Sequence, residues 1–128
     1  MSLSERLSIY QPAALTALRL MTALLFIEHG TQKLFGFPPA PYAITTLFFV
    51  AGVIELIGGI FILLGLFNRP VAFLLSGEMA IAYFMVHMPM NFFPANNQGD
   101  GAILFCFIFL FLVFAGPGCW ALDNRQRR

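Results

Sequence analysis

Four stretches of this sequence are long and apolar enough to dictate its architecture: about Pro12 to His29, Thr45 to Leu66, Arg69 to His87 and Gly101 to Gly116. A helix that crosses a bilayer needs roughly 20 mostly apolar residues. In hydrocarbon each backbone N–H and C=O must find its partner inside the segment, so each stretch is read as an α-helix. Pro70 suits the first turn of the third helix, where its missing N–H costs nothing. The cluster Pro38-Pro39-Ala40-Pro41 breaks helix in the first connection, and Asn96-Asn97-Gln98-Gly99-Asp100-Gly101 is a polar turn signal before the fourth. The expected fold is an all-α bundle of four transmembrane helices in one domain, residues 1–128.

Composition agrees with burial in lipid. The chain is 59% hydrophobic and 10% charged, with mean hydropathy +0.83, whereas soluble domains carry about 25% charged residues. A soluble fold of this size could not hide that much apolar surface. A formal net charge of +1 gives no basic footprint for nucleic acid. The first apolar stretch contains Arg19 and ends in Glu28-His29-Gly30, unlike a cleavable signal peptide. Cys106 and Cys119 form no C-x-x-C pair and have no histidine at ligand spacing, so both are read as small apolar side chains.

Basic residues set the expected orientation. Arg6, Arg69, Arg125, Arg127 and Arg128 fall on one side and Lys33 alone on the other, in a loop facing outward. Both termini are therefore expected in the cytoplasm, with the protein a multi-pass component of a bacterial inner membrane. The second helix carries a small-residue face, with Gly52, Gly58 and Gly59 near Ala51 and Glu55, suited to close helix contact.

Ionisable residues inside a span are costly and usually face the interior with a partner. Arg19, Glu55 and Glu78 lie about 10, 15 and 13 Å into their helices at ~1.5 Å per residue, which places them in one layer. The simplest arrangement sets Arg19 between Glu55 and Glu78. Two carboxylates against one guanidinium leave a surplus negative charge, and one carboxyl then keeps its proton; which of the two pairs with Arg19 is left open. This buried polar cluster serves as a staple for helix register, or as a proton or headgroup site.

A second group gathers at the outer mouth: Glu28, His29, Lys33, Tyr83, His87 and Asp100. Tyr83 and His87, four residues apart, share a helix face; on a straight helix Glu78 points the opposite way. Because the two histidines come from different helices with no local second ligand, no metal site is expected. The mouth is read instead either as interfacial side chains that reach water or as a place for a small polar or quinone-like molecule.

Taken in order, the motifs resemble the DoxX family of small four-helix membrane proteins. They are Arg19 followed by His29-Gly30-Thr31-Gln32-Lys33-Leu34-Phe35-Gly36; Gly52-x-x-Glu55-x-x-Gly58-Gly59; Gly65-Leu66-x-x-Arg69; Gly77-Glu78-Met79-Ala80-x-Ala82-Tyr83 leading to His87; and Gly116-Pro117-Gly118-x-Trp120-Ala121-Leu122-Asp123. Two places depart from the pattern. Asn97-Gln98-Gly99-Asp100 stands where the family often reads Asn-Gly-Gly-Glu, and Ala121-Leu122-Asp123 where it reads Ser-Leu-Asp. The resemblance implies a redox setting: a membrane subunit of a quinone-linked, or thiol and oxidative-stress, oxidoreductase system, catalytic or not. The chain has no G-x-G-x-x-G, C-x-x-C or C-x-x-C-H for a cofactor of its own, so quinone or a partner would carry the electrons. The alternatives are a scaffold that docks a soluble redox enzyme through its arginine-rich tail, and a small proton-coupled carrier working as a homo-oligomer.

Overall fold

The structure, a computed structural model, describes residues 1–125. Arg127 and Arg128, counted above for orientation, lie outside the described residues. Among those described there are helices and no strands: α1 Leu3–Ser8, α2 Gln11–Phe35, α3 Thr46–Leu64, α4 Asn68–Ala82, α5 Pro94–Asn97, α6 Asp100–Ala115 and α7 Leu122–Arg125. The last turn of α4 continues as a π-helical turn, Tyr83–His87. Three helices, of 25, 19 and 20 residues with that turn included, are long and apolar enough to cross a membrane; α6, with 16, is as apolar but shorter.

The expected boundaries agree closely for α3, α4 and α6. They differ for α2, which runs on past Gly30 to Phe35 and stops where Gly36 takes the left-handed conformation, φ 64°. Gly30 stays helical because it is a packing residue. A Cβ there would lie 2.7 Å from the backbone nitrogen of Leu56, so only glycine allows α2 and α3 this close. Gly59 against Ile27 and Gly58 against Leu75 extend the contact along α3 to α2 and α4, as the small-residue face of the second span anticipates.

α2 pairs with α3 and α4 with α6, and α3–α4 and α2–α6 contacts join the two pairs. The core is made of Ala23 and Phe26 from α2, Ile62 from α3, Ala72, Leu75 and Met79 from α4, and Phe109 and Leu112 from α6. Phe26 meets Phe109 edge to face, with centroids 4.9 Å apart. Phe73, Leu74, Leu104 and Phe107 are exposed on the outer surface. An apolar exterior around a small apolar core is the pattern of a bundle solvated by lipid.

The helices alternate in direction, which defines two ends. One is the arginine end, with the start of α2, the end of α3, the start of α4, the end of α6 and the C-terminal strap 116–125. The other is the histidine end, with His29, His87 and Asp100. The strap closes the arginine end through hydrogen bonds. Asp123 accepts from the backbone N–H groups of Phe67 and Asn68, both at 2.8 Å, and so caps α4, whose own N-cap Phe67 has no side-chain bond to offer. The Asp123 N–H donates to Gly65 O at 3.0 Å. In return Arg69 donates to the last carbonyls of α6, Val113 O and Phe114 O, both at 2.7 Å.

Candidate functional site

Arg19 is fully buried, but its partners are not the expected carboxylates. Its guanidinium donates to the carbonyls of Pro117, Cys119 (3.1 Å) and Trp120 (3.0 Å) in the strap, with a longer reach to Leu63 O at 3.5 Å. Thr16, one turn earlier on α2, accepts from the Cys119 N–H at 2.6 Å. Asp123 lies within Coulombic reach of Arg19. The cost of burying this cation is met by a fan of carbonyl dipoles and an acid at the same end. Arg19 thus belongs to the closure of the arginine end and not to the central polar layer.

Lys33 takes the place foreseen for Arg19. The extra turns of α2 carry it off the outward loop and into the bundle, where Nζ lies 2.6 Å from Glu55 Oε2, the side chains 10% and 4% exposed. Local sequence makes room for the pair. A Cβ on Gly52 would stand 2.8 Å from Lys33 Cβ, so glycine one turn before Glu55 leaves space for the lysine stem. Glu78, from α4, faces the same region and lies within Coulombic reach of both Glu55 and Lys33. Both of its carboxylate oxygens are enclosed, and neither has a hydrogen-bond partner among the described residues. The central cluster is therefore Lys33, Glu55 and Glu78: two acids, one ammonium, and the ammonium already committed to Glu55.

The remaining residues expected at the mouth divide into three. Glu28 and Asp100 are exposed to the surroundings. His29 is exposed on one side and sets its ring edge-on to Phe105 of α6, centroids 5.9 Å apart. Tyr83 and His87 stack with centroids 6.3 Å apart and planes 23° from parallel, and both bind a residue that sequence reasoning passed over, Asn97. His87 Nδ1 is 2.9 Å from Asn97 O, and Asn97 Nδ2 donates to the Tyr83 hydroxyl oxygen at 3.2 Å. The π-helical turn between them, closed by Met88 N–H on Tyr83 O at 2.9 Å, inserts extra backbone. It breaks the straight-helix register that would set His87 opposite Glu78. Asn97 read as a turn residue because it sits in a polar run; its complete burial has no local sequence signature.

Among the described residues, no three of His, Cys, Asp and Glu gather as a metal site would require. The cysteines are free; Cys106 is half-buried, while Cys119 is exposed and not the buried apolar side chain expected. Ser76 donates to Cys106 O at 2.8 Å, holding α4 to α6.

Comparison with known proteins places this chain in a family. An uncharacterized protein of Haemophilus influenzae is 44% identical over 124 residues, covering 91% of this chain and 92% of the relative. An uncharacterized membrane protein of Mycobacterium tuberculosis is 28% identical, covering 89% of this chain and 82% of its own length. No solved structure matches. The DoxX family model matches residues 14–88, a range that holds Arg19, Lys33, Glu55, Glu78 and His87. This chain is a membrane protein, and it belongs to the DoxX family.

Proposed function

We propose that this protein is the membrane subunit of a quinone-linked or thiol and oxidative-stress redox system, binding a quinone or similar small substrate at the histidine end and handling a proton there. In this reading α2, α3, α4 and α6 all cross a bacterial inner membrane, both termini are cytoplasmic, and the histidine end is the outer mouth. The family resemblance supplies the redox setting. A single observation supports the proton role: the enclosed Glu78 carboxylate without a donor among the described residues, beside the Lys33–Glu55 pair. With the one ammonium committed to Glu55, charge balance in a dry interior leaves Glu78 to a proton or to a bound group. Reduction of a quinone takes up one proton per electron, so a proton-holding acid near its headgroup has work to do there.

The test is gentle extraction into native nanodiscs followed by mass spectrometry of retained small molecules and proteins. Wild-type protein should retain a quinone, and Glu78→Gln, nearly the same shape without the titrating group, should retain much less. Equal retention by both, or none by wild type, overturns the assignment.

One observation favours a second reading, the scaffold. At the arginine end an open groove of about 2000 Å³ is bordered by Arg69, Pro117 and Trp120, and Trp120 is 85% exposed. A soluble redox enzyme could dock there. Co-extraction of such an enzyme without any retained quinone selects this reading. Proton-driven uptake by an oligomer in proteoliposomes selects the carrier instead.

A further inference from the structure

Every polar group of Asn97 is occupied. Its N–H donates to Phe93 O at 3.1 Å, its Nδ2 to the Tyr83 hydroxyl and to Asn91 O (2.9 Å), and its Oδ1 accepts from Gly99 N–H at 2.8 Å. Its carbonyl oxygen faces His87 Nδ1. These bonds fix the hydrogen-bonding roles of the two rings. A carbonyl can only accept, so Nδ1 of His87 carries the hydrogen, and in the neutral ring the lone pair lies on Nε2. An amide NH2 can only donate, so the Tyr83 oxygen accepts and its own hydrogen stays free to donate. Neither Nε2 nor that hydrogen has a protein partner among the described residues. Two stacked rings at the histidine end therefore offer one fixed acceptor and one fixed donor.

A dihydroxy ring can satisfy both groups, with a hydroxyl donating to Nε2 and a hydroxyl oxygen accepting from Tyr83. A carbonyl oxygen can satisfy only Tyr83, and a carbonyl form that displaces water from Nε2 without replacing its hydrogen bond binds more weakly. We propose that His87 and Tyr83, oriented by Asn97, form a hydroxyl-selective site that prefers the reduced, dihydroxy-ring form of the bound carrier to its carbonyl form. This rests on the reading above that a quinone-class molecule occupies the histidine end. Asn97 is the positioning residue, acting through the tautomer of His87.

Two measurements test it. The chain has two histidines, so ¹⁵N-histidine labelling of the His29→Gln variant in nanodiscs observes His87 alone. The neutral ring is expected to give the spectrum of the Nδ1–H tautomer. Asn97→Ser keeps the main-chain carbonyl that His87 binds but removes the amide bonds to Tyr83, Asn91 and Gly99 that hold it in place, so it should yield a mixture of tautomers with helix content unchanged. An Nε2–H tautomer in the otherwise wild-type protein overturns the proposal, whatever happens to the Asn97 variant. The second measurement is anaerobic binding of a short-chain hydroquinone, its dimethyl ether and the matching quinone. The hydroquinone should bind roughly fivefold to tenfold more tightly than the other two, as loss of one well-made hydrogen bond implies, and His87→Phe should abolish the difference. Equal affinity for all three ligands sinks the selectivity while the proposed function stands. Failure of all three to bind wild-type protein sinks that function too.

Discussion

Lys33 on α2 and Glu55 on α3 form an ion pair 2.6 Å long between side chains 10% and 4% exposed. Desolvation makes such a pair a weak source of net stability, but removing one partner strands the other. Lys33→Met should therefore destabilise the bundle by about 3–5 kcal/mol, part of which Glu55 can escape by taking a proton. The double variant Lys33→Met with Glu55→Leu should recover most of the loss. Unfolding midpoints in one detergent or bilayer mimetic measure both, and a double variant no better than the single would show that Glu55 is not the stranded charge.

The glycines grade themselves by what surrounds them. Gly30→Ala forces a methyl to 2.7 Å from the Leu56 backbone, which cannot move without parting α2 from α3. Gly58→Ala meets only the end of the Leu75 side chain, also at 2.7 Å, and Gly77→Ala meets nothing within 4 Å. Stability should fall most for Gly30→Ala, by about 1–3 kcal/mol, less for Gly58→Ala, and not at all for Gly77→Ala, where alanine's helix propensity favours the variant. A Gly77→Ala loss as large as that of Gly30→Ala would contradict this grading.

The proposed topology makes its own demand. Arg6, Arg69 and Arg125 share the arginine end, which the proposed topology sets in the cytoplasm. A reporter that is active only in the cytoplasm should work when fused after Arg128, and one that is active only in the periplasm should work when inserted in the connection at Pro39-Ala40. The opposite pattern reverses the orientation.

The helices were legible because their apolar length and the glycine face of α3 are properties of neighbouring residues. What escaped depended on partners far along the chain. Gly30 looks like a helix stop, and only the approach of Leu56 explains why the helix continues. Reading it as a stop puts Lys33 in a loop and leaves Glu55 and Glu78 to be matched with Arg19. Arg19 in turn binds main-chain carbonyls, which every residue has, so no side-chain pattern marks them. The closing Gly-Pro-Gly-x-Trp-Ala-Leu-Asp was visible as a motif, but its use as a strap needs the return of the chain to Thr16 and Phe67.

Asp123 holds two backbone N–H groups at the start of α4 with one carboxylate. Asp123→Ala should cost about 1–2 kcal/mol, the upper range for a lost cap because a charged acceptor is removed. Asp123→Asn, which keeps one acceptor oxygen, should cost less. Hydrogen exchange at the Phe67 and Asn68 amides reads the cap directly, and unchanged protection in Asp123→Ala would rule it out.

Arg19 supports the sharpest test, since two assignments of its partner predict opposite results. If it balanced Glu55, then Arg19→Leu with Glu55→Gln would be more stable than Arg19→Leu alone. The observed bonds run instead to Pro117, Cys119 and Trp120, so Glu55→Gln should bring no recovery and should add its own loss at Lys33. Arg19→Leu by itself strands several strap carbonyls, a cost on the order of 3 kcal/mol. Arg19→Lys should recover only part, since an ammonium lacks the planar fork that spans carbonyls from successive residues. The strap also carries the only tryptophan, Trp120, so its fluorescence anisotropy reports whether the strap is held. That anisotropy should fall in Arg19→Leu and stay near wild type in Lys33→Met, whose loss falls on the Lys33–Glu55 pair and not on the strap. Recovery of stability in the Glu55 double variant, with Trp120 unmoved, would return Arg19 to the central layer and undo the strap assignment.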